Sequence, residues 1–184
     1  MNVPETYQKI VSELEQGHRA LIRLKADELE QLDQAFTTSF QDITELEKIL
    51  CIVDHVASLN LKFSANILRA LMLDLPDRLI IFALNCSRKH IVEANFQKGN
   101  RLNYEYLEAL KKHLNSKSPE VVEWTLRTIE ECGNQGVYFL REFDKIKPAP
   151  WKWFNPHQRA VRELIALLER RWSRFEKPGS ERPE

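Results

Sequence analysis

The chain has 184 residues, 43% of them hydrophobic and 29% charged, with 27 Lys/Arg balanced by 27 Asp/Glu. That length suits one domain of ordinary size, or two very small ones, and allows a sizeable core, while the neutral total lies far from that of a dedicated nucleic-acid binder. Five glycines are few for a β-rich protein full of tight turns, and apolar stripes of period 3.6 recur without clear alternation of period 2, so the class read here is all-α.

The charge is unevenly spread. Residues 1–60 carry 5 Lys/Arg against 11 Asp/Glu, residues 61–140 carry 11 against 9, and residues 141–184 carry 11 against 7, for nets of −6, +2 and +4. The two ends therefore attract different partners, or one another in a head-to-tail assembly; solvated helix faces account for the same counts.

In chain order, Pro4 to Gln16 reads as an amphipathic helix with Tyr7, Ile10, Val11 and Leu14 inward and Gly17 as its stop. His18 to Leu24 is open between a connector and a short extended piece. A second helix is predicted over about Asp27 to Phe40, on the stripe Leu29, Leu32, Phe36 and Phe40. A third, Ile43 to Ser58, has an apolar surface wide enough for a central position. Ser64 is expected to cap a fourth, carrying Ile67, Leu68, Leu71 and Leu75. Leu79 to Leu84 is a continuous apolar run that periodicity alone leaves between strand and helix. Helix is preferred, because Pro76 suits a first helical position and no partner strand is visible.

Helices follow over Asn103 to Asn115 and Ser118 to Asn134, separated by a link so short that the two are expected to pack antiparallel. In the second, Ser118 is a candidate N-cap, Pro119 a first helical residue, and Gly133 with Asn134 a left-handed stop. Val122, Leu126 and Ile129 share one face, and Trp124 borders it. Two more helices are predicted, over about Gln135 to Ile146 and Pro156 to Phe175, the latter striped by Val161, Leu164, Ile165, Leu168 and Trp172. The count is about nine. Residues 177–184 (KPGSERPE) read as a disordered polar tail outside a helical domain over residues 1–176, in which residues 1–60 stand as a possible acidic cap.

Motifs of catalysis are missing from this string: it has no nucleophile elbow, phosphate loop, dinucleotide fingerprint or CxxC pair. Cys51, Cys86 and Cys132 are odd in number and set in apolar patterns, so they read as core thiols. His90-x-x-Glu93 reverses the metal-binding order, and the side chains of Asp54-His55 diverge on a helix, so no metal or cofactor is expected. No apolar run approaches the length of a membrane span and the first residues are acidic, so neither a membrane segment nor a secretory signal is read, and a cytoplasmic location is the default expectation.

The most suggestive stretch is KPAPWKWFNPHQR, residues 147–159. Trp151, Trp153 and Phe154 crowd a loop stiffened by three prolines, with Lys152, Arg159 and Arg162 nearby. Aromatics mixed with Arg serve as binding hot spots and stack on unpaired bases. The alternative is that Trp151 and Phe154 cover the end of the core while the prolines stiffen a connector.

Over Leu102 to Asn134 the chain resembles the HEAT repeats of stacked helical scaffolds. The likeness is carried by Pro119, Glu120, Val121, Leu126, Ile129, Gly133 and Asn134. Two positions depart: Val122 stands where Arg is usual, and Trp124 where a small residue is common. The resemblance implies antiparallel hairpins stacked as a short right-handed α-solenoid. With it comes the expectation of a non-enzymatic scaffold or adaptor for another protein, with self-association also open, presenting a concave row that includes Glu120, Glu123, Arg127 and Glu130. HEAT-like DNA glycosylases make a nucleic-acid-binding or repair-like protein the alternative, and a compact helical structural or regulatory subunit is a third reading.

Overall fold

The computed structural model describes residues 1–18, 20–149 and 154–173; Trp151, Lys152, Trp153 and the tail from residue 177 lie outside them. The described chain is helical, with α1 Val3–Glu15, α2 Ala26–Ser39, α3 Ile43–His55, α4 Ser64–Met72, α5 Asp77–Ser87, α6 Ala94–Gln97, α7 Tyr104–Leu114, α8 Pro119–Glu131, α9 Leu140–Ile146 and α10 Pro156–Trp172. A π-helical turn, Arg88–Glu93, runs α5 into α6 without a break, so the described residues hold nine α-helices when that run is taken as one. Two compact units are formed, Met1–Ala109 and the chain from Leu110 onward, and the division falls inside α7.

Local rules explain the ends. Asn2, Asp42 and Asn155 cap α1, α3 and α10 by accepting first-turn amides: Glu5 at 3.3 Å, Thr44 at 2.8 Å and His157 at 2.9 Å. Gly17 stops α1 at φ 75 and Gly133 stops α8 at φ 58, the left-handed region that glycine enters without strain. Three expectations at helix starts need correction. Ser64 lies inside α4, where its hydroxyl donates to the His90 carbonyl at 3.2 Å. The capping there is done earlier by Asn60, which accepts the Lys62 amide at 3.0 Å and starts a 3-10 turn over Leu61–Phe63. Pro76 stands before α5 and not within it, and the Ser118 hydroxyl makes no capping bond to α8.

In the first unit α3 is central, packed by α1, α2 and α5. Leu46, Ile49, Leu50, Ile52 and Val53 on it are all buried, and apolar burial stabilises at about 25 cal/mol per Å². Contacts ascend together along α3 and α5: Glu47 with Arg78 at 2.6 Å, the Leu50 carbonyl with Cys86 at 3.3 Å, and the Asp54 carbonyl with Lys89 at 3.3 Å. The two helices therefore run parallel. Connector residue Ile22 makes a single parallel bridge to the end of α3, donating to His55 at 2.8 Å and accepting from Ala57 at 2.7 Å. Leu79 to Leu84 is helix, its run of apolar residues divided between α3 and α4.

In the second unit the chief packing partner of α8 is α10. Glu123 meets His157 and Glu130 meets Arg171 at 2.8 and 2.9 Å, again ascending together, so these helices too run parallel. Between them the expected helix Gln135 to Ile146 starts instead as a 3-10 stretch, Gly133–Phe139, and becomes α-helical only at Leu140. Trp172 is buried and stacks on Phe143 at 6.4 Å. All three cysteines are free and buried; burial pushes the Cys51 thiol up to about 11 and that of Cys132 up to about 12.

Candidate partner-binding edge

The start of α10 is held to α8 by one carboxylate. Glu123 is only 8% exposed, and its Oε1 accepts both Nε and Nη2 of Arg127 at 2.9 and 2.7 Å. Its Oε2 accepts from His157 Nδ1 at 2.8 Å. An ionised carboxylate only accepts, so the proton sits on Nδ1 of the ring. Such a fork satisfies both oxygens of a group too costly to bury unpaired, and it fixes the residues that follow Asn155. Glu123 is thereby withdrawn from the presented row expected for α8: Glu120 and Arg127 are exposed, Glu123 is buried, and Glu130 is held by Arg171.

Immediately before this anchored turn stands Phe154, 92% exposed. Among the described residues its ring covers no part of the core, so for Phe154 the core-covering alternative is not what the structure shows. Arg159 and Arg162 lie on the exposed face of α10 and line a recess of about 270 Å³ with Pro148, Ala149 and Glu163. Phe154 thus directly precedes α10, whose exposed face carries Arg159 and Arg162, and Glu123 and Asn155 hold the start of that helix. Trp124 is half-buried on α8, with the Arg127 guanidinium 5.8 Å from its ring centre. The i, i+4 pairing of Glu123 with Arg127 was visible in the sequence. The partnership with His157, 34 residues on, carries no local signal.

A second concentration of buried polar groups lies in the first unit, at the π-helical turn. His90 is fully buried; its Nε2 donates to the Val53 carbonyl at 2.9 Å while Nδ1 accepts the Asn60 amide at 3.1 Å. Phe63 and the imidazole pack nearly perpendicular, with centroids 5.2 Å apart. Burial pushes the imidazole down to about 4, since the charged form would lose the Asn60 bond and its hydration. Burial also raises the carboxyl of Asp54, against the opposing pull of His55, Lys89 and Arg88. Both ring nitrogens of His90 are spent on backbone, which suits a structural role at a wide turn. Among the described residues no three His, Cys, Asp or Glu side chains converge as a metal site would need, and no helix is long and apolar enough to cross a membrane.

Comparison of the chain with protein-family models, with curated proteins and with solved structures finds no match.

Proposed function

We propose that this protein is a non-catalytic interaction module of HEAT-like construction that recognises another protein through the edge where α10 begins. The carrying observation is Phe154, an aromatic ring 92% exposed on a turn that hydrogen bonds of Asn155 and Glu123 hold in place. A large apolar side chain kept in water loses burial free energy unless a partner covers it. Arg159 and Arg162, on the exposed face of the helix that follows, add a residue type common in binding hot spots. Trp151, Lys152 and Trp153, expected from the sequence at a partner-binding surface, lie outside the described residues. The HEAT-like reading draws support from direction: α3 with α5, and α8 with α10, run parallel, as alternate helices do in a succession of antiparallel hairpins.

The test places a photo-crosslinking amino acid at position 154 and, as a control, at Tyr104, which is also exposed. Crosslinking in extract of the source cell is expected to trap a discrete protein from position 154 and none from 104. With that partner in hand, Phe154→Ala is expected to weaken binding by about 2 kcal/mol, roughly 30-fold in Kd. Equal labelling at both positions, or capture of nucleic acid alone, would sink the proposal.

A further inference from the structure

The second unit contains a larger recess beside the one already described. It measures about 490 Å³; Val122, Ile146 and Val161 contribute its apolar lining, and Lys117, Lys145 and Lys147 its cations. The two recesses share Pro148, Ala149 and Gln158, so they meet along the connector that leaves α9. Taken together their lining holds five cationic side chains, Lys117, Lys145, Lys147, Arg159 and Arg162, against one carboxylate, Glu163.

We infer that the two joined recesses form one groove that binds an extended segment of a partner protein in which Asp or Glu alternate with apolar residues. The inference rests on the interaction reading above and names the chemistry of the partner. The cations are divided between the two recesses, three in one and two in the other, which matches a row of carboxylates better than a single phosphate. Alternate positions of an extended peptide point to opposite sides, so one set can meet the lining residues Val122, Ile146 and Val161 while the other meets the cations.

The charges already present set the terms. Lys145 holds Glu142 at 2.8 Å, and this bond keeps the Glu142 carboxyl below its ordinary range. Lys147 holds Glu169 at 3.0 Å. Each ammonium has three donors, so both retain capacity for a second carboxylate. Those same acids, with Glu163, lower the net positive charge of the groove, so an occupant must gain from its apolar lining as well as from the cations.

Fluorescence anisotropy of the full chain tests this, with a labelled peptide alternating Glu and Leu as probe, a Lys-for-Glu peptide as one control and a single-stranded oligonucleotide as another. The double variant Lys117→Glu, Arg162→Glu changes two exposed side chains and is expected to weaken the acidic peptide at least about tenfold. Lys98→Glu, exposed in the first unit, is expected to leave it unchanged. Affinity should fall as salt is raised. No binding, an equal effect of Lys98→Glu, or tighter binding of the oligonucleotide each overturns the inference. So does salt-sensitive sedimentation as a dimer that the double variant abolishes, because the acidic first third of a second copy would then be the occupant. If the peptide fails while crosslinking at position 154 persists, the groove is wrong and the edge stands; if both fail, neither stands.

Discussion

Gly136 shows how much one missing atom can decide. A Cβ built there would lie 2.2 Å from Cη2 and 2.4 Å from Cζ2 of Trp172, closer than any real contact. The indole fills the space a side chain would use, so the turn after α8 and the end of α10 are fitted to one another. Gly136→Ala is expected to cost about 1–3 kcal/mol by overpacking. Urea unfolding followed by tryptophan fluorescence checks this, and Trp172→Phe in the same chain should restore part of the loss. Nothing in the sequence separates the demands on Gly133 and Gly136, which stand three residues apart after α8. Only Gly133 needs its backbone freedom; Gly136 is required for space, a demand that appears only once Trp172 is packed. Trp172 itself was legible, because it continues the stripe of Leu164, Ile165 and Leu168.

Among elements, the π-helical turn between α5 and α6 is where the chain departs furthest from what periodicity could foretell. Apolar spacing placed the helices, and the preference for helix over Leu79 to Leu84 followed from the lack of any partner strand. A wide turn leaves no comparable trace, and His90 in the string is one polar residue among apolar ones. Ser64 was misread because a hydroxyl before an apolar stripe resembles a cap, while Asn60 a turn earlier does the capping. Protonation gives the element a measurable signature. The folded imidazole sits at about 4 against an ordinary 6.5, so the neutral form is favoured by folding. Stability is therefore full above about pH 6.5 and declines as pH falls toward 4, by up to about 3 kcal/mol at 1.36 kcal/mol per unit. Asp54 acts in the opposite sense, since its raised carboxyl gains from protonation as pH falls. The comparison that isolates His90 is thus wild type against His90→Gln. The urea midpoint of the wild type should fall more steeply between pH 6.5 and 4 than that of the variant, and parallel profiles would refute the assignment.

For the whole molecule, the all-α class and the run of helices were legible from stripes and stops, whereas the sequence left Phe154 open between core cover and surface, and only the folded chain shows it exposed. What holds that edge was not legible, because the Glu123–His157 bond joins residues brought together only by packing. The division of the chain at Ala109, inside α7, also lacked a mark in composition, whereas the change of charge near residue 60 corresponds to no break in packing. The three buried thiols turn this division into something that can be timed. Cys51 and Cys86 lie in the first unit and Cys132 in the second, and burial keeps each in the unreactive thiol form. An alkylating reagent reaches such a sulfur only when its surroundings open, so labelling rates report opening free energies unit by unit. Gly136→Ala is expected to speed labelling of Cys132 while leaving Cys51 and Cys86 slow, read by mass spectrometry of the labelled peptides. Equal acceleration at all three would mean that the two units open as one. The cysteines, inert by every chemical measure above, are in this sense built-in clocks.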